Sequence, residues 1–207
     1  VRALMDTVDG YDAAIWQRMA NEVGLQAIAI PEEYGGQGVT FIELGIVLEE
    51  LGRALACAPF FSSAVLAANA ILNAGTEKDK AALLPGIASG ETIVALAFAE
   101  ASGAWDVDGI TMVARPDGDD FLLDGTKSYV VDGHVADQLV VVARLEGTSG
   151  ADGIGFFSVA GEADGLTRTP LATMDQTRKQ AQLEFTAVRA CAIGAPGDGG
   201  AAFEKTC

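Results

Sequence analysis

A single histidine, His134, and three cysteines far apart in the chain, Cys57, Cys191 and Cys207, leave little with which to hold a metal ion. The cysteines form neither a C-x-x-C pair nor a disulfide framework, and the histidine sits in "DGH", which reads as a solvated turn. No G-x-S-x-G is present, so a Ser-His-Asp nucleophile has no elbow to occupy. Positive charge is scarce as well. Against 29 Asp and Glu there are only 13 Lys and Arg, a formal net charge of −16. A phosphate backbone demands the opposite, which excludes nucleic acid as a partner; the acidic excess serves solubility. Long apolar runs are also missing. Although 50% of the residues are hydrophobic, Glu49, Glu50, Asn69 and Asn73 interrupt the greasiest tracts, short of the ~20 residues a membrane span needs. Residues 1–10 lack the basic start and apolar stretch of a secretion signal, so a soluble, cytoplasmic chain is expected. "GADGIGFF" does not match G-x-G-x-x-G and precedes a strand rather than opening a helix, which argues against a Rossmann-type NAD enzyme.

What is present divides into two halves of different period. Up to about residue 90 the spacing predicts helices. "YDAAIWQRMANEVG" places Ile15, Met19 and Val23 on one stripe and stops at Gly24. In "TFIELGIVLEELGRAL", Phe41, Leu44, Leu48, Leu51 and Leu55 share a face, Thr40 caps with Glu43, and Glu49 can pair with Arg53. "FFSSAVLAANAILNAG" is apolar nearly all round, as in a helix sandwiched between others. Thr76 caps "EKDKAALLPGIASG", which Pro85 should end or kink. From about residue 91, short runs follow: "TIVALAF", "GITMVAR", "DFLLDG", "KSYVVDG", "DQLVVVAR", "GIGFFSV", "LTRTPL" and "QAQLEF". Gly/Asp turns separate them, the pattern of a compact antiparallel barrel or sandwich. Helices followed by strands mean an α+β chain with segregated domains, divided near Ser89–Glu91. "GDGGAAFEKTC" reads as a loop and the opening turns of another helix.

Three stretches in this order, "IPEEYGGQG", "LEELGRALA" and "FLLDGTKSYVVDGHVADQLVVVAR", together resemble the acyl-CoA dehydrogenase family. The likeness runs from Tyr11 to Gly200. It implies an N-terminal helical domain over 1–90, a middle β-barrel over 91–195, and the start of a C-terminal helical bundle over 196–207, with the bundle itself absent from this chain. It implies FAD between barrel and bundle, and desaturation of an acyl-CoA thioester to the 2-enoyl form with electrons passed to an electron-transferring flavoprotein. The family's glutamate base lies outside these residues, so they alone should not turn over substrate. Dimers or tetramers are the family's habit, so a homo- or hetero-oligomer is implied.

The stretch "AFAEASGAWDVDG", Ala97–Gly109, resembles the family's flavin loop "T-E-P-x-x-G-S-D", read here as A-E-A-S-G-A-W-D. The resemblance makes Phe98, Ala99, Gly103, Trp105, Tyr129 and Val131 the cofactor-binding candidates. Ala99 stands for a flavin-contacting Thr, Trp105 for a Ser, Tyr129 for a stacking Trp, and Val131 for a Thr or Ser. Two hydroxyl bonds of ~0.5–1.5 kcal/mol each are thereby lost. An indole of the order of 150–250 Å² replaces the serine. It either points inward and excludes the cofactor or points away onto the helical domain. The backbone amides of Phe98 and Ala99 survive any side-chain change. Two readings stay open: a dehydrogenase with an atypical flavin site, or a non-catalytic partner subunit of a heteromeric enzyme. "MDQTRKQAQLEF" is similar to divergent members of the second kind, some acting on steroid-type side chains. Lys127, Arg144, Arg168, Arg178 and Lys179 are the cations available to an acyl-CoA, with surface solvation the ordinary role for each. The small residues of "FFSSAVLAANAIL" leave room for a wide acyl group.

Overall fold

The computed structural model describes residues 1–207. Short α1 (Arg2–Met5) leads to α2 (Ala13–Arg18), where the Asp12 carboxylate accepts from the amides of Ala14 and Ile15. The helix loosens into a π-helical turn, Met19–Val23, and stops at Gly24 in the left-handed region. Its buried face is not the expected Ile15–Met19–Val23 stripe. Ile15 and Val23 are exposed, and Trp16 is buried instead. The indole wins because its N–H donates to the Gly90 carbonyl at 2.9 Å, so a large apolar surface is buried with its one donor satisfied.

Helix α3 (Phe41–Arg53) has the predicted Thr40–Glu43 capping box. Of its stripe only Leu44 is fully buried, Leu48 and Leu51 are partly so, and Phe41 and Leu55 are exposed. Arg53 pairs with Glu50, one turn back, rather than with Glu49. A π-helical turn, Phe61–Ala67, runs into α4 (Ala68–Ala74), buried on most sides. Helix α5 (Glu77–Ala88) opens on a Thr76–Asp79 capping box and continues through Pro85, contrary to the expected break. Leu84, Ile87 and Ala88 are buried around the proline, and that packing offsets the missing backbone bond.

The second half is a closed barrel of β1 (Val94–Ala97), β2 (Val113–Asp117), β3 (Asp120–Val131), β4 (Gln138–Leu145), β5 (Ile154–Ala160), β6 (Leu166–Pro170) and β7 (Gln180–Gly197). The ring runs β4–β2–β3–β7–β5 and returns to β4, with β1 alongside β4 and β6 alongside β7. Most pairs are antiparallel, but β4 lies parallel to both β1 and β2. "DFLLDG" and "KSYVVDG" form one strand rather than two. Asp124–Gly125 runs on inside β3 rather than turning, opposite a bulge at Thr186–Ala187 of β7, and Gly125 has φ 143°. A Cβ there would fall 2.9 Å from Met112.

Strand β4 shows how the halves join. Leu139, Val141 and Ala143 belong to the barrel interior with Leu123, Phe157 and Leu183. Val140 and Val142 belong to a second core with Ile71, Leu84 and Ile87 of the helices. Both faces are therefore buried, which is why "LVVVA" is apolar without alternation. Polar bonds also cross the junction: Val94 N–H donates to Ser63 Oγ at 3.1 Å, and Ser62 Oγ donates to Asp132 at 2.6 Å. The chain ends in α6 (Gly200–Thr206), tied to α4 by Asn73 Nδ2 donating to Thr206 Oγ1 at 3.0 Å. No helix is long and apolar enough to cross a membrane.

Candidate functional site

Strand β1 ends at Ala97, and the chain leaves the sheet through Phe98, Ala99 and Glu100. Beside this exit β3 becomes irregular: its pairing with β7 slips between Lys127 and Val130, and Tyr129 takes φ 56°. A left-handed non-glycine costs roughly 1–2 kcal/mol. Here it accompanies a ring turned outward, 57% exposed. Between the two segments lies a cavity of about 460 Å³, and all six expected residues, Phe98, Ala99, Gly103, Trp105, Tyr129 and Val131, line it. Phe61 and Leu66 of the helices, Gln180 of β7, and Thr206 and Cys207 share the remaining wall with Leu96, Ser128 and Val130. Trp105 lies along the cavity rather than on the helical block. Its ring meets Phe98 edge-on, centroids 5.4 Å apart, and Phe98 in turn meets Phe203 of α6 at 5.8 Å.

Under the cavity floor sits an ion pair the surface reading of Lys127 missed. Lys127 is fully buried, and its Nζ donates to Glu100 Oε1 at 2.7 Å and to the Phe98 carbonyl at 3.0 Å. Glu100 also accepts from the amides of Thr111 and Met112. Burial draws the ammonium down to about 8, against the pull of Glu100. Burial opposes ionisation of Glu100 too, but Lys127 and the hydrogen bonds hold the carboxyl below its usual range. The Ala99 carbonyl accepts from the Ser128 amide at 2.8 Å, whereas the amides of Phe98 and Ala99 donate to no acceptor in the chain. The period-two signal was available: Lys127 has the parity of inward-facing Leu123.

The other cations are also committed. Arg144 is buried and donates to the carbonyls of Ile110, Asp152 and Val107. Arg168 donates to Ala136 O, Arg178 to Ala56 O, and Lys179 to Met5 O. Each joins distant segments, because a backbone carbonyl in a crowded junction needs a donor. His134 is likewise no solvated turn residue. It is half-buried, with Nε2 2.9 Å from Val8 O, and burial lowers its pKa. No three His, Cys, Asp or Glu groups cluster as a metal site would.

Residues 2–91 match the model of the acyl-CoA dehydrogenase N-terminal domain, and residues 95–188 match that of the acyl-CoA dehydrogenase middle domain. The chain belongs to the acyl-CoA dehydrogenase family. Among curated acyl-CoA dehydrogenases it is 35% identical to the mitochondrial isovaleryl-CoA dehydrogenase of Bos taurus, over 65% of this chain and 32% of that one. Among solved structures, a variant of the Tcur3481-Tcur3483 steroid ACAD superposes with TM-score 0.84 at 33% identity, covering 99% of this chain and 53% of that one. The ChsE4-ChsE5 complex from Mycobacterium tuberculosis gives 0.85 at 26% identity, covering 99% and 54%. The chain thus spans about a third of the curated relative and about half of the solved structures.

Acyl-CoA dehydrogenases depend on FAD, and the cavity suits one end of it. Two amides without internal acceptors adjoin an apolar, aromatic-lined space, as a flat ring with acceptors on its edge requires. Ala99 and Val131 offer no hydroxyl to the ring, and although Ser128 and Thr206 also line the cavity, no lining residue carries positive charge to meet a pyrophosphate.

Proposed function

We propose that this chain supplies the helical and barrel portion, 1–90 and 91–195 with residues 196–207 opening a third domain, of a flavin-dependent acyl-CoA dehydrogenase. The whole enzyme desaturates an acyl-CoA thioester between its α and β carbons and delivers the electrons to an electron-transferring flavoprotein. The observation that carries this reading is the pair of undonated amides, Phe98 and Ala99, beside the cavity lined by Tyr129 and Val131. Bound there, FAD would supply the acceptor for the β-hydride. Phe98 and Ala99 would hold the ring edge, Gly103 would let the loop approach it, and Tyr129 would cover its face. Trp105 and Phe98 would keep water from the ring. The base that takes the α-proton is expected from a segment outside these residues.

One observation favours a second reading, in which the protein is the non-catalytic partner in a hetero-oligomer. Trp105 occupies the cavity edge in place of a hydroxyl, and no lining cation is at hand for phosphate. Purifying the full-length protein from the cytoplasmic fraction, alone and with a homologue retaining T-E-P-x-x-G-S-D, separates the two. Stoichiometric flavin in the protein alone supports the first reading. Flavin only in the mixed complex, at one per pair, supports the second.

A further inference from the structure

The buried ammonium beneath the cavity touches no solvent, yet one of its bonds goes to the peptide that joins two residues lining the cavity. That peptide joins Phe98 to Ala99. It is trans, as are all peptides in the chain, so its N–H points opposite to its C=O. Lys127 Nζ holds the C=O at 3.0 Å from the barrel side. The Ala99 N–H is therefore turned away from the lysine; it meets no acceptor in the chain, and Ala99 itself lines the cavity. The next carbonyl, of Ala99, is held by the Ser128 amide from the same strand. Two successive carbonyls of the loop are thus fastened to β3, which leaves little freedom for the peptide between them to rotate.

We infer that Lys127 is a positioning residue: locked to Glu100, it clamps the Phe98 carbonyl and so aims and strengthens the Ala99 N–H as a donor to the acceptor edge of a planar ligand. The physical basis is polarisation. A cation on the carbonyl oxygen draws charge through the amide and makes its N–H a stronger donor, and hydrogen bonds in series reinforce one another in a low-dielectric site. Glu100 supplies the countercharge that keeps the ammonium protonated, and it is the one charged group acting on it. Glu100 is fastened in its turn by Thr111 and Met112, so the clamp is anchored on three segments. The ligand class rests on the flavin reading above; the clamp itself rests on this geometry alone.

The test exploits a feature of the sequence. Phe98–Ala99 is the only Phe-Ala dipeptide among these 207 residues, so in full-length protein labelled with carbonyl-13C Phe and 15N Ala its HNCO cross-peak is identified as the one that Ala99→Gly removes. The full-length protein is titrated through the lysine's range around pH 8, with FAD as the probe ligand. The wild-type peak should move upfield in its proton dimension as Lys127 loses its proton. In Lys127→Met/Glu100→Gln, which removes both charges and avoids stranding one, that movement should vanish while the fold persists by circular dichroism. FAD should shift the wild-type peak, and its affinity should fall about five- to tenfold in the double variant, the worth of a charge-assisted over a neutral hydrogen bond. Lys127→Arg should restore a peak that is insensitive to pH, with affinity near wild type. A peak equally placed across the titration in wild type and double variant overturns the inference. So does FAD binding that is measurable and equally tight in the two. A peak that titrates but ignores FAD upholds the clamp and removes the flavin reading for this chain.

Discussion

Asp132 is a buried titratable group at which helices and barrel meet, and replacing it with Asn isolates what that contact costs. Its carboxylate is buried and accepts from Ser62 Oγ, which also donates to the Pro59 carbonyl. Burial raises its pKa from the ordinary 3.8 to about 6, against the hydrogen bond from Ser62 and the charge of Arg178. Because the folded value lies above the unfolded one, the associated stability is fully present below about pH 4. It drains away as pH rises and is gone above about pH 6. At about 1.4 kcal/mol per pH unit the total is about 3 kcal/mol. Asn keeps the shape, cannot ionise and tolerates the left-handed φ of 54° at this position. Urea denaturation should therefore be run on both proteins between about pH 5 and pH 7.5, clear of the sequence pI of about 4.2. Over that window the advantage of Asp132→Asn should grow by about 1.5 kcal/mol, roughly half the total. The other carboxylates titrate equally in both proteins and cancel. A difference that stays flat, or that shrinks as pH rises, would mean that burial does not govern this group.

Three further outcomes follow from the same geometry. Trp105→Ser combined with Ala99→Thr supplies two hydroxyls and opens the cavity edge, so the flavin absorbance per protomer should rise; unchanged occupancy would place the obstacle outside this loop. Gly36→Ala puts a methyl 1.8 Å from the Ile30 carbonyl oxygen and should cost about 1–3 kcal/mol by chemical denaturation, whereas a loss under about 0.5 kcal/mol would show that the loop yields freely. Thr76→Ala removes the hydroxyl that caps α5 and should cost about 1 kcal/mol, lowering Tm by about 2–4 °C in a scanning calorimeter. No change in Tm would assign the cap to Asp79, which also accepts from the Gly194 amide.

Where information is local, the amino-acid order alone was enough. The capping box at Thr40, the cap at Thr76, the stop at Gly24 and the switch from helices to strands each depend on residues within a few positions, and each is found as expected. The six candidate residues, from two segments some thirty positions apart, could be named because their motifs resemble a family's, and the fold brings them to one cavity. Tertiary structure decided the rest. Which face of α2 is buried turned on Gly90, far along the chain, offering its carbonyl to Trp16. The parallel placement of β4 beside β1 and β2 arose from closure of the ring, which no strand encodes by itself. Lysines and arginines that look like surface charges became internal donors, because only the folded chain presents the carbonyls they satisfy. Period and caps act over one turn or one pleat; a buried charge depends on which distant segments arrive beside it, and that is a property of packing rather than of order along the chain.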